Sequence, residues 1–90
     1  GGHAHLYTQQ TIIALSGSFN VHLDNGSEKI TIHLNRPYEG ILLSNMIWRE
    51  IDNFSSSATC LVLASGVYDE KEYVRDYSKF KKMISTHGIS

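Results

Sequence analysis

Apolar and polar residues alternate along the first two-thirds of the chain in a way that predicts short β-strands. In SFNVHLD (18–24) and EKITIHL (28–34) every second side chain is apolar, which is typical of strands with one buried face. The run ATCLVLAS (58–65) is almost wholly apolar, so we expect a strand that is buried on both faces. About five or six such strands joined by turns are typical of an antiparallel sandwich or barrel.

A hairpin is predicted between the two alternating segments. Asn25-Gly26 is typical of a two-residue type I′ turn, because both central positions of that turn need a positive φ. This turn would pair Val21 with Ile30 and would keep apolar side chains opposite apolar ones.

The last quarter of the chain changes its period and predicts a helix. Asp69 followed by Glu72 has the spacing of a capping box, with the aspartate as the N-cap. Apolar and aromatic side chains then recur at helical spacing at Tyr73, Tyr77, Phe80 and Ile84. We expect this C-terminal helix to dock on the sheet, and STHGIS (85–90) to form a frayed tail.

Composition narrows the class of protein. Ninety residues predict one domain, 1–90. A net charge of −1 argues against a partner such as nucleic acid or a membrane surface that is bound through bulk charge. The single cysteine, Cys60, lies in an apolar run and fits a reducing, cytoplasmic compartment. A domain this small buries little surface, so self-association is expected to add stability.

Two histidines stand one residue apart at His3 and His5. Side chains two residues apart on a strand share a face, so the two imidazoles are predicted to lie together. This spacing serves a metal site or a general base with a helper, but it also arises by accident or from a tag. The other histidines of the strands, His22 and His33, fall on polar faces and are expected to be exposed. Trp48 is expected in the core or in an interface.

The surroundings of the histidine pair resemble the two cupin motifs. Gly-x-His-x-His is followed by Gln10 and Gly17 as in the first motif, and Arg49 with Asn53 resembles the end of the second. Metal-binding cupins have glutamate and histidine where this chain has Gln10 and Arg49. Arginine carries a permanent positive charge and cannot ligate a cation, so we expect neither a metal nor another cofactor. The remaining groups suit proton transfer next to an anionic or carbonyl-bearing ligand.

Longer segments resemble one cupin family more closely. GGHAH, LSGS, WRE, CLVLAS and YDEKEYVRDYSKF are together similar to the sugar 3,4-ketoisomerases of the WxcM-like and FdtA-like type. The resemblance implies an all-β fold, namely a cupin-type antiparallel β-barrel or jelly roll with a C-terminal α-helix. It also implies a protein that forms a homodimer and binds no metal. It implies movement of a keto group between C4 and C3 of a dTDP-linked 4-keto-6-deoxyhexose, for surface polysaccharides such as O-antigen.

The resemblance also implies roles for individual residues. His5 would be the main acid/base, with His3 beside it, since a histidine can accept and return a proton at neutral pH. Arg49 would stabilise negative charge on the enediolate oxygen or on the phosphates. Gln10 is expected to contact the substrate from the same pocket.

Two further side chains are candidates with open alternatives. Arg75 would clamp the diphosphate, whereas the sequence alone favours an exposed helix arginine paired with Asp76 or Asp69. Tyr7 has the strand parity of the two histidines, so it either points into the pocket and binds substrate or packs in its wall.

Family members carry a further N-terminal segment before the histidine motif. We therefore expect a chain that is truncated relative to the family, starts inside its catalytic motif, and self-associates to cover an unpaired strand edge. The alternatives are a non-catalytic cupin fragment that binds a nucleotide sugar or merely dimerises and, less favoured, a metal-dependent cupin.

Overall fold

A computed structural model describes residues 2–87 of the chain, with side chains described for residues 2–85. The described part is built from antiparallel strands and one α-helix. The strands are β1 (Ala4–His5), β2 (Gln10–Ser16), β3 (Phe19–Asp24), β4 (Lys29–Leu34), β5 (Gly40–Leu43), β6 (Trp48–Asp52), β7 (Thr59–Ala64) and β8 (Tyr73–Val74). A 3-10 helix (Glu70–Glu72) precedes β8, and the helix α1 (Tyr77–His87) follows it.

The strands form two three-stranded sheets and one small ladder. The sheets have the orders β5-β2-β7 and β4-β3-β6, and the ladder joins β1 to β8. Buried side chains from both sheets pack together as the main core: Ile12, Ala14, Phe19, Val21, Leu34 and Leu43. This arrangement confirms the predicted all-β class with a C-terminal helix.

The hairpin between β3 and β4 forms, but the predicted register is wrong by two residues. Val21 pairs with Ile32, and the connecting loop has four residues rather than two. The Asn25 side chain explains the longer loop, because its Oδ1 accepts the N–H of Glu28 at 2.8 Å. Gly26 takes a positive φ of 100°, which a glycine adopts without strain. A shift of two residues leaves every side chain on its predicted face.

Strand β7 lies where the sequence predicts it, but its predicted burial is wrong. Within the described residues β7 pairs with β2 alone and is an edge strand. Val62 is 44% exposed and Leu63 is 53% exposed. An apolar run shows that both faces of a strand are apolar, but it does not show what covers them.

The predicted helix begins later than its capping signal. Asp69 does cap, accepting the N–H of Lys71 at 3.1 Å, yet it starts only a 3-10 turn. Tyr73 then extends into β8, and the helix is capped by Asp76, whose Oδ1 accepts the N–H of Ser78 at 2.8 Å. The capping box fails because the carboxylate of Glu72, three residues after Asp69, accepts hydrogen bonds from Tyr7 and Thr8 in the β1–β2 connection instead.

Helix α1 closes a second cluster that holds the ends of the described chain together. Buried Ala4, Trp48, Val74 and Phe80 pack there, with 5.7 Å between the ring centroids of Trp48 and Phe80. Trp48 is thus a core residue, as predicted. Residues 85–87 continue α1, so that part of the predicted frayed tail is helical, and residues 88–90 lie outside the described part of the chain. No helix in the described part is long and apolar enough to cross a membrane.

Candidate active site

The histidine pair is positioned by hydrogen bonds on both sides of β1. On one side His5 pairs with Tyr73 of β8. On the other side His3 and Arg49 exchange two backbone hydrogen bonds of 3.1 and 2.9 Å. The imidazoles therefore lie on one face, as their spacing predicts, with ring centroids 5.0 Å apart at an interplanar angle of 80°.

An aromatic side chain from β8 covers the pair. The ring centroid of Tyr73 lies 4.4 Å from that of His5 and 5.4 Å from that of His3. Sequence reasoning missed this residue because its spacing to Tyr77 and Phe80 also fits a helix. Its position beside the histidines depends on pairing between distant parts of the chain.

A buried arginine stands next to the imidazoles. Arg49 is 1% exposed, and its Nη1 donates to Oε1 of Gln10 at 2.7 Å. Its Nη2 donates to the carbonyl of Ile47 at 3.0 Å, while Nε has no hydrogen-bond partner among the described residues. The structure thus brings together the two imidazoles, the amide and the guanidinium that the sequence predicts as one pocket.

Glu72 is the acidic member of the cluster, and sequence reasoning assigned it no chemical role. It is 7% exposed, and Oε1 lies 3.5 Å from Nδ1 of His5. The carboxylate accepts the hydroxyl of Thr8 and the backbone N–H groups of Thr8 and Tyr7. In the sequence, the spacing of Glu72 from Asp69 is that of a capping box. That pattern predicts a local contact of Glu72 with the start of a helix, not a contact with distant β1.

Burial and neighbouring charges lower the pKa of both histidines. Burial is the main reason that the pKa of His3 falls to about 4, and the charges of Arg49 and His5 lower it further. Burial and Arg49 also lower the pKa of His5, but Glu72 opposes them. Burial lowers the pKa of the Arg49 guanidinium to about 10, which still leaves it charged at neutral pH. Both imidazoles are therefore neutral, and able to accept a proton, at pH 7.

The Glu72 carboxyl stays ionised in spite of its burial. Burial raises its pKa, but the hydrogen bonds from Thr8 and Tyr7 outweigh that effect, and the net pKa is lowered. The cluster therefore contains one buried anion and one buried cation beside two neutral bases.

Arg75 lies at the rim of the cluster in an ion pair that the sequence did not predict. It is exposed and binds Glu70 through two hydrogen bonds of 2.7 and 2.9 Å, rather than Asp76 or Asp69. Its guanidinium carbon stands 4.5 Å from the centroid of the Tyr73 ring. The stacking places a cation next to the side chain that covers both histidines.

Tyr7 does not join the cluster. Its side chain is 81% exposed, and it is the backbone N–H that contacts Glu72. This exposure does not fit a packed wall, one of the two alternatives that strand parity allowed, and the binding of substrate by Tyr7 stays a prediction.

The first 85 residues carry a family signature: residues 1–85 match the family described as FdtA, WxcM-like, C-terminal. The chain belongs to this family. Over 85 residues it is 41% identical to the TDP-4-oxo-6-deoxy-α-D-glucose-3,4-oxoisomerase of Aneurinibacillus thermoaerophilus. The aligned region covers 94% of this chain and 61% of that protein. The resemblance to sugar 3,4-ketoisomerases is thereby confirmed.

Solved structures of similar proteins support the fold of this FdtA-family chain. WlaRA from Campylobacter jejuni, a TDP-fucose-3,4-ketoisomerase, is 41% identical with a TM-score of 0.87, covering 90% of this chain and 60% of that one. A variant of the 3,4-ketoisomerase QdtA from Thermoanaerobacterium thermosaccharolyticum, in complex with TDP-4-keto-6-deoxyglucose, is 32% identical with a TM-score of 0.93, covering 98% of this chain and 64% of that one. The predicted cupin-type fold is confirmed, and the chain spans about 60% of the length of these relatives.

The remaining histidines of the strands in this FdtA-family chain lie away from the cluster. His22 is half-exposed and bonds to Thr31 at 2.8 Å and Asp52 at 2.7 Å, and His33 is exposed and bonds to Asn20 at 2.7 Å. Among the described residues, no three histidine, cysteine, aspartate or glutamate side chains converge into a group that could hold a metal ion. A site without metal or other cofactor stays a prediction.

Proposed function

We propose that this chain carries the acid/base site of a sugar-nucleotide isomerase. The reaction moves the keto group between C4 and C3 of a dTDP-linked 4-keto-6-deoxyhexose. The observation that carries the proposal is the pair of adjacent imidazoles with lowered pKa, buried His5 and partly buried His3, set beside the buried Arg49. The names of the relatives supply the substrate class, since two are TDP-sugar oxo- or ketoisomerases and a third binds TDP-4-keto-6-deoxyglucose.

The proposed steps need only proton transfers. His5 takes the proton from C3, the C–H electron pair becomes the C3=C4 double bond, and the C4 carbonyl oxygen becomes an alkoxide. The proton of the C3 hydroxyl then moves to this oxygen by way of His3, which leaves the negative charge on the C3 oxygen. As the C3 carbonyl forms, the double bond takes the proton back from His5 at C4. Atoms and charge balance, and no oxidant or reductant is required.

The cationic groups have separate proposed tasks. Arg49 stabilises the enediolate, because a buried guanidinium already held by Gln10 and Ile47 needs little rearrangement when the negative charge develops. Gln10 orients Arg49 through its hydrogen bond, and its contact with substrate from the same pocket stays a prediction. Arg75 clamps the diphosphate from the rim, where a phosphate would replace the Glu70 carboxylate as its partner.

Three other expectations stay predictions beside this proposal. They are the single-domain organisation over residues 1–90, the homodimer and the cytoplasmic location. The exposed apolar side chains of Leu15, Leu42 and Leu63 on the β5-β2-β7 sheet support self-association, because large apolar patches usually mark an interaction surface.

A proton NMR time course in D₂O tests the proposed reaction. The protein is incubated with dTDP-4-keto-6-deoxyglucose, and we expect the C3 proton signal to disappear while a 3-keto product accumulates; deuterium appears at C4 only where the proton on His5 exchanges with D₂O before it is returned. Calorimetry with TDP serves as the control for binding. If TDP binds while neither exchange nor product is seen, the chain is a nucleotide-sugar-binding cupin, and the isomerase proposal is wrong.

A further inference from the structure

The Glu72 carboxylate accepts three hydrogen bonds from the β1–β2 connection. Its Oε2 accepts the Thr8 hydroxyl, and its Oε1 accepts the backbone N–H groups of Thr8 and Tyr7. Its own carbonyl accepts the N–H of Leu6 at 2.9 Å, which ties the residue to the end of β1. A carboxylate with three donors has a fixed direction.

The His5 imidazole lies beside this fixed carboxylate. Nδ1 of His5 lies 3.5 Å from Oε1 of Glu72. His5 is 1% exposed, and neither of its ring nitrogens has a hydrogen-bond partner among residues 2–87. A buried imidazole N–H without a partner is costly, and contacts between catalytic groups are often long before substrate binds.

We propose that Glu72 is a positioning residue for His5: it takes the Nδ1–H, so that the lone pair of the neutral imidazole lies on Nε2. The tautomer follows from the geometry alone. The use of Nε2 as the base toward C3 of the sugar rests on the proposed function. Once His5 is protonated, the same carboxylate faces the positive charge of the imidazolium.

Among the charged groups around His5, Glu72 has the opposite effect on its pKa to the two arginines. From β1 it faces His3, from β6 Arg49, and from the segment that contains β8 it faces Glu72, Tyr73 and Arg75. Arg49 and Arg75 both lower the pKa of His5, whereas Glu72 raises it. Glu72 is the one carboxylate among the groups that shift the pKa of His5 most, whereas the charges that shift the pKa of His3 most are those of Arg49, His5 and Arg75.

The test reads the tautomer and the titration of His5 directly. In full-length chain labelled with ¹⁵N, long-range ¹H–¹⁵N spectra identify the protonated ring nitrogen, and His5→Asn assigns the signal. We expect wild-type His5 to be the Nδ1–H tautomer. In Glu72→Gln the amide oxygen can still accept Nδ1–H while its NH₂ donates to the Thr8 hydroxyl, so the tautomer stays and the titration shifts to lower pH. Glu72→Ala should lose the tautomer preference as well.

A matched control separates the local contact from a change in net charge. Glu28→Gln removes the same charge from an exposed glutamate in the β3–β4 loop, and it should leave the His5 tautomer and titration unchanged. The proposal is overturned if wild-type His5 is the Nε2–H tautomer. It is also overturned if a folded Glu72→Gln titrates as the wild type does, or if Glu28→Gln shifts the titration equally.

Failure of this inference is distinguishable from failure of the proposed function. The spectra need no substrate, so an inactive wild-type chain with the Nδ1–H tautomer keeps the positioning role and loses only the isomerase. If Glu72→Gln does not fold, the tautomer of His5 in the wild-type chain still decides whether Glu72 positions His5. In an active enzyme, the acid limb of the kcat profile should move to lower pH in Glu72→Gln.

Discussion

Two regions of the molecule carry histidines on β-strands, and their surroundings give them opposite properties. On β3 and β4, His22 and His33 point from the sheet toward solvent, and cross-strand neighbours satisfy them: Thr31 and Asp52 for the first, Asn20 for the second. On β1, His5 is buried without a hydrogen-bond partner among the described residues. An exposed imidazole whose nitrogens are hydrogen-bonded to neighbouring strands stabilises the sheet weakly. A buried imidazole whose ring nitrogens have no hydrogen-bond partner is available for proton transfer.

The difference comes from the layer that covers each strand. The side chains of Tyr73 and Arg49 lie against the β1 histidines, and the cluster with Trp48 and Phe80 closes the space behind them. On the β4-β3-β6 sheet the histidine face remains open to water. The residue type is the same in both regions, so the covering elements decide whether it can act as a base.

The largest expected effect comes from removing one imidazole in each region. His5→Asn should lower turnover of dTDP-4-keto-6-deoxyglucose by at least about 10²-fold, because a general base contributes 10²–10⁴-fold. His33→Asn is the matched control and should keep full turnover, since its side chain is exposed and bonds only to Asn20. Equal activities of the two variants in the D₂O assay would remove His5 from the mechanism.

A second difference should appear in the pH dependence of stability. The pKa of His3 is lowered from 6.5 to about 4 in the folded chain, so the unfolded chain binds more protons between these values. The free energy of unfolding should therefore fall as the pH drops from about 6.5 to about 4, and burial of His5 adds in the same direction. Urea unfolding at pH 7 and pH 5 measures this loss.

Two variants show which region causes that acid sensitivity. His3→Asn should reduce the loss of stability between pH 7 and pH 5, because the group that must stay neutral is gone. His33→Asn should show the same loss as the wild type. If both variants lose the same stability between pH 7 and pH 5, His3 is not the source of the acid sensitivity.

The smallest expected effect belongs to the exposed region. His22 and Asp52 form a close pair at 2.7 Å, but their side chains are 38% and 64% exposed. Asp52→Asn should therefore change the free energy of unfolding at pH 7 by less than about 1 kcal/mol, as is usual for surface pairs. A shift of the urea midpoint that corresponds to a loss of more than about 2 kcal/mol in the free energy of unfolding would contradict this. It would show that the exposed His22–Asp52 pair contributes more to stability than is usual for surface pairs.

Local pattern was sufficient for the parts of the site that depend on strand parity. The common face of His3 and His5 follows from the period of a strand, and the resemblance to the cupin motifs brought Gln10 and Arg49 into the same pocket. Most of the strands were predicted for the same reason, since alternation survives even where the β3–β4 register shifts by two residues.

Glu72 and Tyr73 could not be predicted, because competing local signals at these positions point to a helix. The capping-box spacing and the helical repeat are both present in the sequence, yet β8 forms because Ala4 and His5 offer it a partner strand. The predicted burial of β7 was wrong for a related reason. What covers a strand is a property of distant segments, and a single apolar run contains no information about them.

The ladder between β1 and β8 has a consequence for synthesis on the ribosome. Strands β2 to β7 lie between its two strands in the sequence, so the partner of β1 leaves the exit tunnel only after all of them, followed by the helix that buries Phe80 against Ala4. The β3–β4 hairpin, whose contacts are local, can form long before that. The histidine cluster is therefore assembled after the hairpin, so a chain that stalls or terminates before β8 would contain a folded hairpin but no complete histidine cluster.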